Sequence, residues 1–179
     1  MSINEKESLQ QQWSSDATMK QIREEQKRDK PQIEDVISNF LSGDALKNAS
    51  DFIAFLRINK LNPRWSATCN WTVKYKGKNL LILRLHGSAW QYDLEVGSWH
   101  IDYKGFGFLD RFTSCNITKD FLYSNIRYCI NCCACSPGRN ITVLGKQFNN
   151  VCRLVIKNPD AEALECVKKL IEANKHEYT

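Results

Sequence analysis

From residue 31 onward the apolar residues fall first in a helical and then in a strand rhythm. Ile33, Val36, Ile37, Phe40 and Leu41 recur at i, i+3, i+4, i+7 and i+8 behind Pro31, which suits a first helical turn. Ser42-Gly43 ends that helix, Asp44 is placed to cap the next, and Ala45, Leu46, Ala49, Phe52, Ile53 and Leu56 repeat the stripe, so a helical hairpin is predicted. Asn62-Pro63 closes it, because the residue before a proline is pushed out of helical geometry. Residues 1–30 contain good helix formers, but from residue 10 to 30 Trp13, Met19 and Ile22 are the only sizeable apolar side chains. That is too thin for an anchoring stripe, and the pattern predicts a mobile or partner-seeking helix over 1–30, ahead of a single domain over 31–179.

Past Trp65 the period shortens to two. Trp71, Val73 and Tyr75 alternate with Thr72, Lys74 and Lys76, and Gly77 sits where a tight turn needs positive φ, predicting a hairpin with strands near 69–76 and 79–86. Leu80 to Leu85 is apolar on both faces except at Arg84, the pattern of a central strand covered on each side. A third strand alternates Trp90, Tyr92, Leu94 and Val96 with Gln91, Asp93 and Glu95, and Trp99–Tyr103 adds a fourth. Thr118 caps a predicted helix bearing Leu122, Ile126, Cys129 and Ile130, stopped by Pro137-Gly138. Residues 141–144 and 151–156 make a second strand pair around Gly145-Lys146, and Asn158, with Pro159 behind it, caps a final helix buried through Ala163, Leu164, Val167, Leu170 and Ile171. The expected fold is α+β: a helical hairpin, then a mainly antiparallel sheet of about five or six strands, with two further helices.

The hairpin segment Trp71-x-Val73-x-Tyr75-x-Gly77-Lys78, its apolar second strand and the closing helix that begins Asn158-Pro159-Asp160 resemble small bacterial proteins of unknown function, built as helices around a curved antiparallel sheet. The resemblance spans roughly residues 45–175, and the Cys-rich insertion departs from it. It implies the fold class and no activity.

At 179 residues and 42% hydrophobic, the chain can bury a core without covalent staples. No run approaches a membrane span, and the N-terminus lacks the basic-then-apolar order of a signal peptide, which places the protein in the cytoplasm. Charge is uneven: residues 63–157 hold thirteen basic and five acidic side chains, so the excess positive charge sits in this middle region and favours anionic partners. No tight Lys/Arg run occurs, so nucleic acid is the less favoured of these.

Four of the eight cysteines fall within residues 129–135, in a Cys-rich segment spanning 129–152. Without a secretion signal such a cluster reads as metal binding, redox chemistry or small core side chains before it reads as disulfides. Cys129, Cys132, Cys135 and Cys152 supply four thiols for a closed tetrahedral zinc site, the one cofactor the chain indicates. An iron–sulfur cluster fits less well, because the familiar ferredoxin run needs a further Cys before its Pro. A helix C-terminus, where these thiols are expected, opposes thiolate formation and weakens a redox reading.

Catalytic motifs are absent from the chain: no nucleophile elbow, phosphate loop, dinucleotide fingerprint or paired-histidine metalloprotease signature. Asp93 and Glu95 share a strand face, as solvated strands routinely show, and Cys69 with His86 or His100 would make a nucleophile pair that nothing in the sequence orients. The aromatic set is richer. Trp71, Tyr75, Trp90 and Tyr92, with Arg84 and His86 as polar neighbours, would line a sheet face suited to a small aromatic or anionic molecule, against the alternative of an aromatic core. The leading expectation is a cytoplasmic, non-catalytic small-molecule-binding or sensing domain with a structural metal site. The alternatives are a nucleotide or nucleic-acid module using the basic middle region, and a thiol-based redox sensor or enzyme.

Overall fold

The structure, a computed structural model, describes residues 20–85, 98–103, 119–129 and 138–177. Helix α1 covers 20–29, α2 is the short Ile33–Val36, continued by a 3-10 turn at Ile37–Asn39, and α3 runs Gly43–Ile58. Strands β1 (Arg64–Ala67), β2 (Asn70–Tyr75), β3 (Lys78–Leu85) and β4 (Trp99–Tyr103) follow. Helix α4 (Lys119–Asn125), β5 (Ile126–Tyr128), β6 (Arg139–Val143), β7 (Lys146–Lys157) and α5 (Ala161–Glu177) complete the order. The expected α+β class holds, with a seven-stranded antiparallel sheet in the order β1-β2-β3-β4-β7-β5 and β6 also paired to β7.

Two of the tight hairpins use the turn whose two central residues have positive φ. Lys76-Gly77 (46° and 80°) joins β2 to β3, and Leu144-Gly145 (48° and 82°) joins β6 to β7. That geometry matches the right-handed twist of the flanking strands, and glycine at the second position removes half of its steric cost.

The sheet has two unlike faces. On one, Trp71, Leu83, Ile101 and Ile156 lie in register across β2, β3, β4 and β7, all buried. α3 and α5 cover this face: Phe52 of α3 packs on Trp99, and the Tyr103 hydroxyl donates to the Leu170 carbonyl of α5. Phe52, Leu56, Val167, Leu170 and Ile171 close the core above the strands. α1 is seated on the body, since the Cys69 amide donates to buried Gln26 and the Trp71 indole donates to the Pro31 carbonyl just beyond the helix.

Four local expectations are corrected. The helix expected through Ile130 stops at Asn125, where the Ser124 and Asn125 side chains both donate to the Phe121 carbonyl, and Ile126–Tyr128 pairs with β7 instead. Cys129 therefore follows a strand end rather than lying at a helix C-terminus. The last helix is capped by Asp160, whose carboxylate accepts from the Ala163 amide. Asn158 instead accepts the Trp99 amide through Oδ1 and donates its own amide to the Trp99 carbonyl, tying β4 to the end of β7. Asp44 stands in the first turn of α3 rather than at its cap, and β1 is an edge strand outside the predicted set.

Candidate functional site

The face away from α3 and α5 carries the polar partners of the same strands. One residue along from the apolar row, Asn70, Arg84, His100 and Lys157 stand in register, and beside them Thr72, Ile82, Asp102 and Val155 form the next row. Successive strand residues point to opposite faces, so the alternation that puts Leu83 and Ile101 in the core sends Arg84, His100 and Asp102 to this side.

Asp102 is fully buried (0%) and its Oδ2 accepts from two guanidiniums, Arg84 Nη2 at 3.0 Å and Arg153 Nη1 at 3.2 Å. Arg84 Nη1 donates to Asn70 Oδ1 at 3.0 Å. A buried carboxylate persists only when it is paired and hydrogen-bonded, and these charge-assisted bonds supply that. Arg84 Nε and both imidazole nitrogens of His100 are buried without a hydrogen-bond partner. His100 is 1% exposed, and burial, reinforced by the charge of Arg84, pulls its pKa down to about 4, so the ring is neutral at physiological pH.

At the β1–β2 end of the same face a cleft of about 530 Å³ is lined by Lys60, Asn62, Arg64, Trp65, Ser66, Thr72, Lys74 and Asn79. Arg64 pairs with Thr72, and the Thr72 hydroxyl donates to Ser66 Oγ at 3.0 Å, so β1 and β2 present these side chains together. Lys60, Arg64 and Lys74 form no ion pair among the described residues, and no carboxylate lines the cleft. Trp65 borders it while packing partly against the core, with its indole nitrogen buried and unpartnered.

The residues expected to line an aromatic site part company here. Trp71 is fully buried under the helices and uses its indole N–H on Pro31, and the Tyr75 hydroxyl donates to the Lys175 carbonyl of α5. Arg84 points to the opposite face, so the sheet separates it from that pair. His86, Trp90 and Tyr92 lie outside the described residues, as do Asp93 and Glu95. Among the residues that sequence reasoning passed over, Lys60, Arg64, Lys74, Asp102 and Arg153 are central. For Lys60, Arg64 and Lys74 a signal was present: residues 52–92 hold seven basic side chains and no acidic one. His100 had been considered only as a partner for Cys69, but Cys69 is held by Gln26, and burial pushes its thiol up to about 11, far from a nucleophile's range.

Of the four thiols expected to hold zinc, Cys132 and Cys135 lie outside the described residues. Cys129 and Cys152 flank a junction at Val151, which pairs with both Tyr128 of β5 and Arg139 of β6. Asn150 clamps that junction: its Nδ2 donates to the Cys129 carbonyl, its Oδ1 accepts from the Gly138 amide, and its carbonyl accepts from the Cys129 amide. Gly138 has to be a glycine, since a Cβ there would stand 2.5 Å from the Asn150 carbonyl carbon. Among the described residues no group of three or more His, Cys, Asp or Glu is arranged to hold a metal.

Comparison with family models, with curated proteins and with solved structures gives no match. Among the described residues no helix is long and apolar enough to cross a membrane.

Proposed function

We propose that the protein is a non-catalytic binding or sensing domain of the cytoplasm whose ligand is a small anionic molecule, received in the Lys60–Arg64–Lys74 cleft. One observation carries this reading: three cations without counter-ions among the described residues share a cleft of ligand size with two hydroxyls and two side-chain amides. Convergent cations hold the charge of an oxyanion, and the hydroxyls and amides satisfy its oxygens. Of the two ligand chemistries expected, the three cations support the anionic one. Structural zinc remains part of the proposal, supported by the clamp that draws Cys129 to the base of the Cys-rich segment.

Isothermal titration calorimetry with inorganic phosphate tests the cleft. The wild-type protein should bind, and the triple variant Lys60→Gln/Arg64→Gln/Lys74→Gln should bind at least roughly tenfold more weakly, a loss of about 1.4 kcal/mol, with unchanged circular dichroism. Equal binding by the two proteins would remove the cleft from the function. The acid-free stretch over 52–92 favours one second reading, a single-stranded nucleic acid on this edge. It requires oligonucleotide affinity that falls steeply with salt, where a small-ligand site shows a shallow dependence.

A further inference from the structure

Two clusters of donors lie on one face of the sheet, and the cleft accounts for only one of them. The second comprises Arg84, Arg153 and His100 around Asp102. Its two guanidiniums converge on a single carboxylate oxygen, Arg84 Nε and the His100 ring lack partners, and the arginine side chains keep 18% and 25% exposure. A buried donor left unmade costs about 1–3 kcal/mol, so unpartnered polar groups gathered at one spot call for a partner. The partly exposed arginine side chains give an incoming group its approach to the cluster, whose unpartnered nitrogens are themselves buried.

Resting on the reading above, we propose that the ligand is a bis-anion: one acidic group occupies the Lys60–Arg64–Lys74 cleft and a second is held by Arg84, Arg153 and His100. The register gives the ligand its dimensions. Thr72 in the cleft, Ile82 and Asp102 are cross-strand neighbours in one row, so with a strand spacing of about 4.8 Å the two anion positions stand roughly 10 Å apart. Between them lies Ile82, a half-buried apolar side chain, which suits a hydrocarbon connection between the acidic groups better than a polar one. The ligand class is therefore a small diacid or bisphosphate with an aliphatic spacer. Among the described residues no carboxylate lines the cleft to anchor a bridging Mg²⁺, so the ligand's acidic group is held there by the protein's own cations. The neutral His100 ring supplies one N–H to the inner group, and Asp102 remains the internal counter-ion that keeps both guanidiniums in place.

Calorimetry with inorganic phosphate and with methylene-, propane-, hexane- and decane-bisphosphonate tests the spacing in the wild-type protein, so no variant has to fold. Affinity should rise roughly tenfold or more from the methylene to the hexane compound and fall again at decane, because the second group binds as an intramolecular partner only when the spacer fits. Arg153→Gln and His100→Gln should each flatten that length dependence, so that the hexane compound binds little better than the methylene one. Phosphate binding with no length optimum would overturn the bis-anion while leaving the cleft standing. Failure of phosphate itself to bind would remove both.

Discussion

On the helix side of the sheet Trp71, Leu83, Ile101 and Ile156 stand shoulder to shoulder; one residue further along the same strands, on the other side, stand Asn70, Arg84, His100 and Lys157. The first row is stabilised by removal of apolar surface from water, a non-directional contribution that any well-fitting neighbour satisfies. The second depends on direction. Asp102 is held at full burial by directional bonds that include those from two guanidiniums, and among the described residues nitrogens of Arg84 and His100 beside them have no partner. The difference teaches that one register assigns two kinds of contribution: non-directional burial on the face that the helices cover, and directional charge pairing on the face that they leave.

The comparison breaks most sharply at Asp102. Asp102→Ala leaves two arginines without their buried counter-ion and should cost about 3–5 kcal/mol in urea denaturation. Leu83→Ala on the helix side should cost a similar amount, about 2–5 kcal/mol, for a different reason, lost burial plus a cavity. The two are separable by rescue. Adding Arg84→Met and Arg153→Met to Asp102→Ala should restore most of the stability, since an apolar set of similar volume needs no counter-ion. No second substitution on the outer face should rescue Leu83→Ala. An Asp102→Ala cost below about 1 kcal/mol would mean that the arginines are solvated and the outer face is not closed.

Acid separates the faces next. His100 has a folded pKa of about 4 against an ordinary value of 6.5, so between these values the unfolded chain takes up a proton that the folded protein refuses. Stability contributed by the neutral ring is complete above pH 6.5 and falls as pH drops toward 4, by about 3 kcal/mol at most. Denaturation midpoints of wild type and His100→Gln across that window should diverge, the variant showing the flatter profile. Cys69, on the side of α1, acts at the other end of the scale. Its thiol stays protonated up to about 11, so stability is lost as pH rises from 9 toward that value.

Trp71→Phe sharpens the comparison at lower cost. Losing the indole bond to Pro31 and some core volume should destabilise by about 1–3 kcal/mol, with phosphate affinity unchanged, because Trp71 packs under the helices and away from the cleft. A large change in phosphate affinity with little loss of stability would return Trp71 to the binding face.

Most of the fold was legible because its determinants are local. Alternation set the hairpin β2–β3 and the buried side of β4, and helical spacing set α3 and α5. The helix through Cys129 was misread because Leu122 and Ile126 keep helical spacing while β7 offers Ile126–Tyr128 a ladder of backbone hydrogen bonds, and pairing with a distant strand leaves no local trace. The site was less legible for the same reason. Arg84 stood out as the one charge in an apolar strand, but His100 and Asp102 look like ordinary outward residues of a short strand, and only the third dimension brings Arg153 to them from 51 residues away. The aromatic residues misled in the opposite direction. Trp71 and Tyr75 carry polar tips that ask for partners, and those partners turned out to be backbone carbonyls of the chain itself.

The smallest effect is expected at the β5–β6 junction, away from both the apolar row and the arginines. Asn150→Ala removes the side-chain bonds to the Cys129 carbonyl and the Gly138 amide, and it places alanine at a φ of 59° that asparagine tolerates better. A global loss of about 1–2 kcal/mol should follow, because the strand pairing around Val151 persists. The readout that matters is chemical: alkylation of Cys132, Cys133 and Cys135 should be faster in the variant than in the wild type, followed by mass spectrometry at neutral pH. Zinc adds a second handle on the same junction. If the four thiols hold it, elemental analysis of protein purified without chelator should find about one zinc per chain, and EDTA should speed wild-type alkylation to the rate of the variant. Asn150 then acts as an outer support that orients Cys129 for the metal, and its loss should weaken zinc retention tenfold or more, on the order of 10–100-fold. If zinc is absent and alkylation is slow in both proteins until they unfold, the cysteines are core side chains and the clamp serves the strand junction alone.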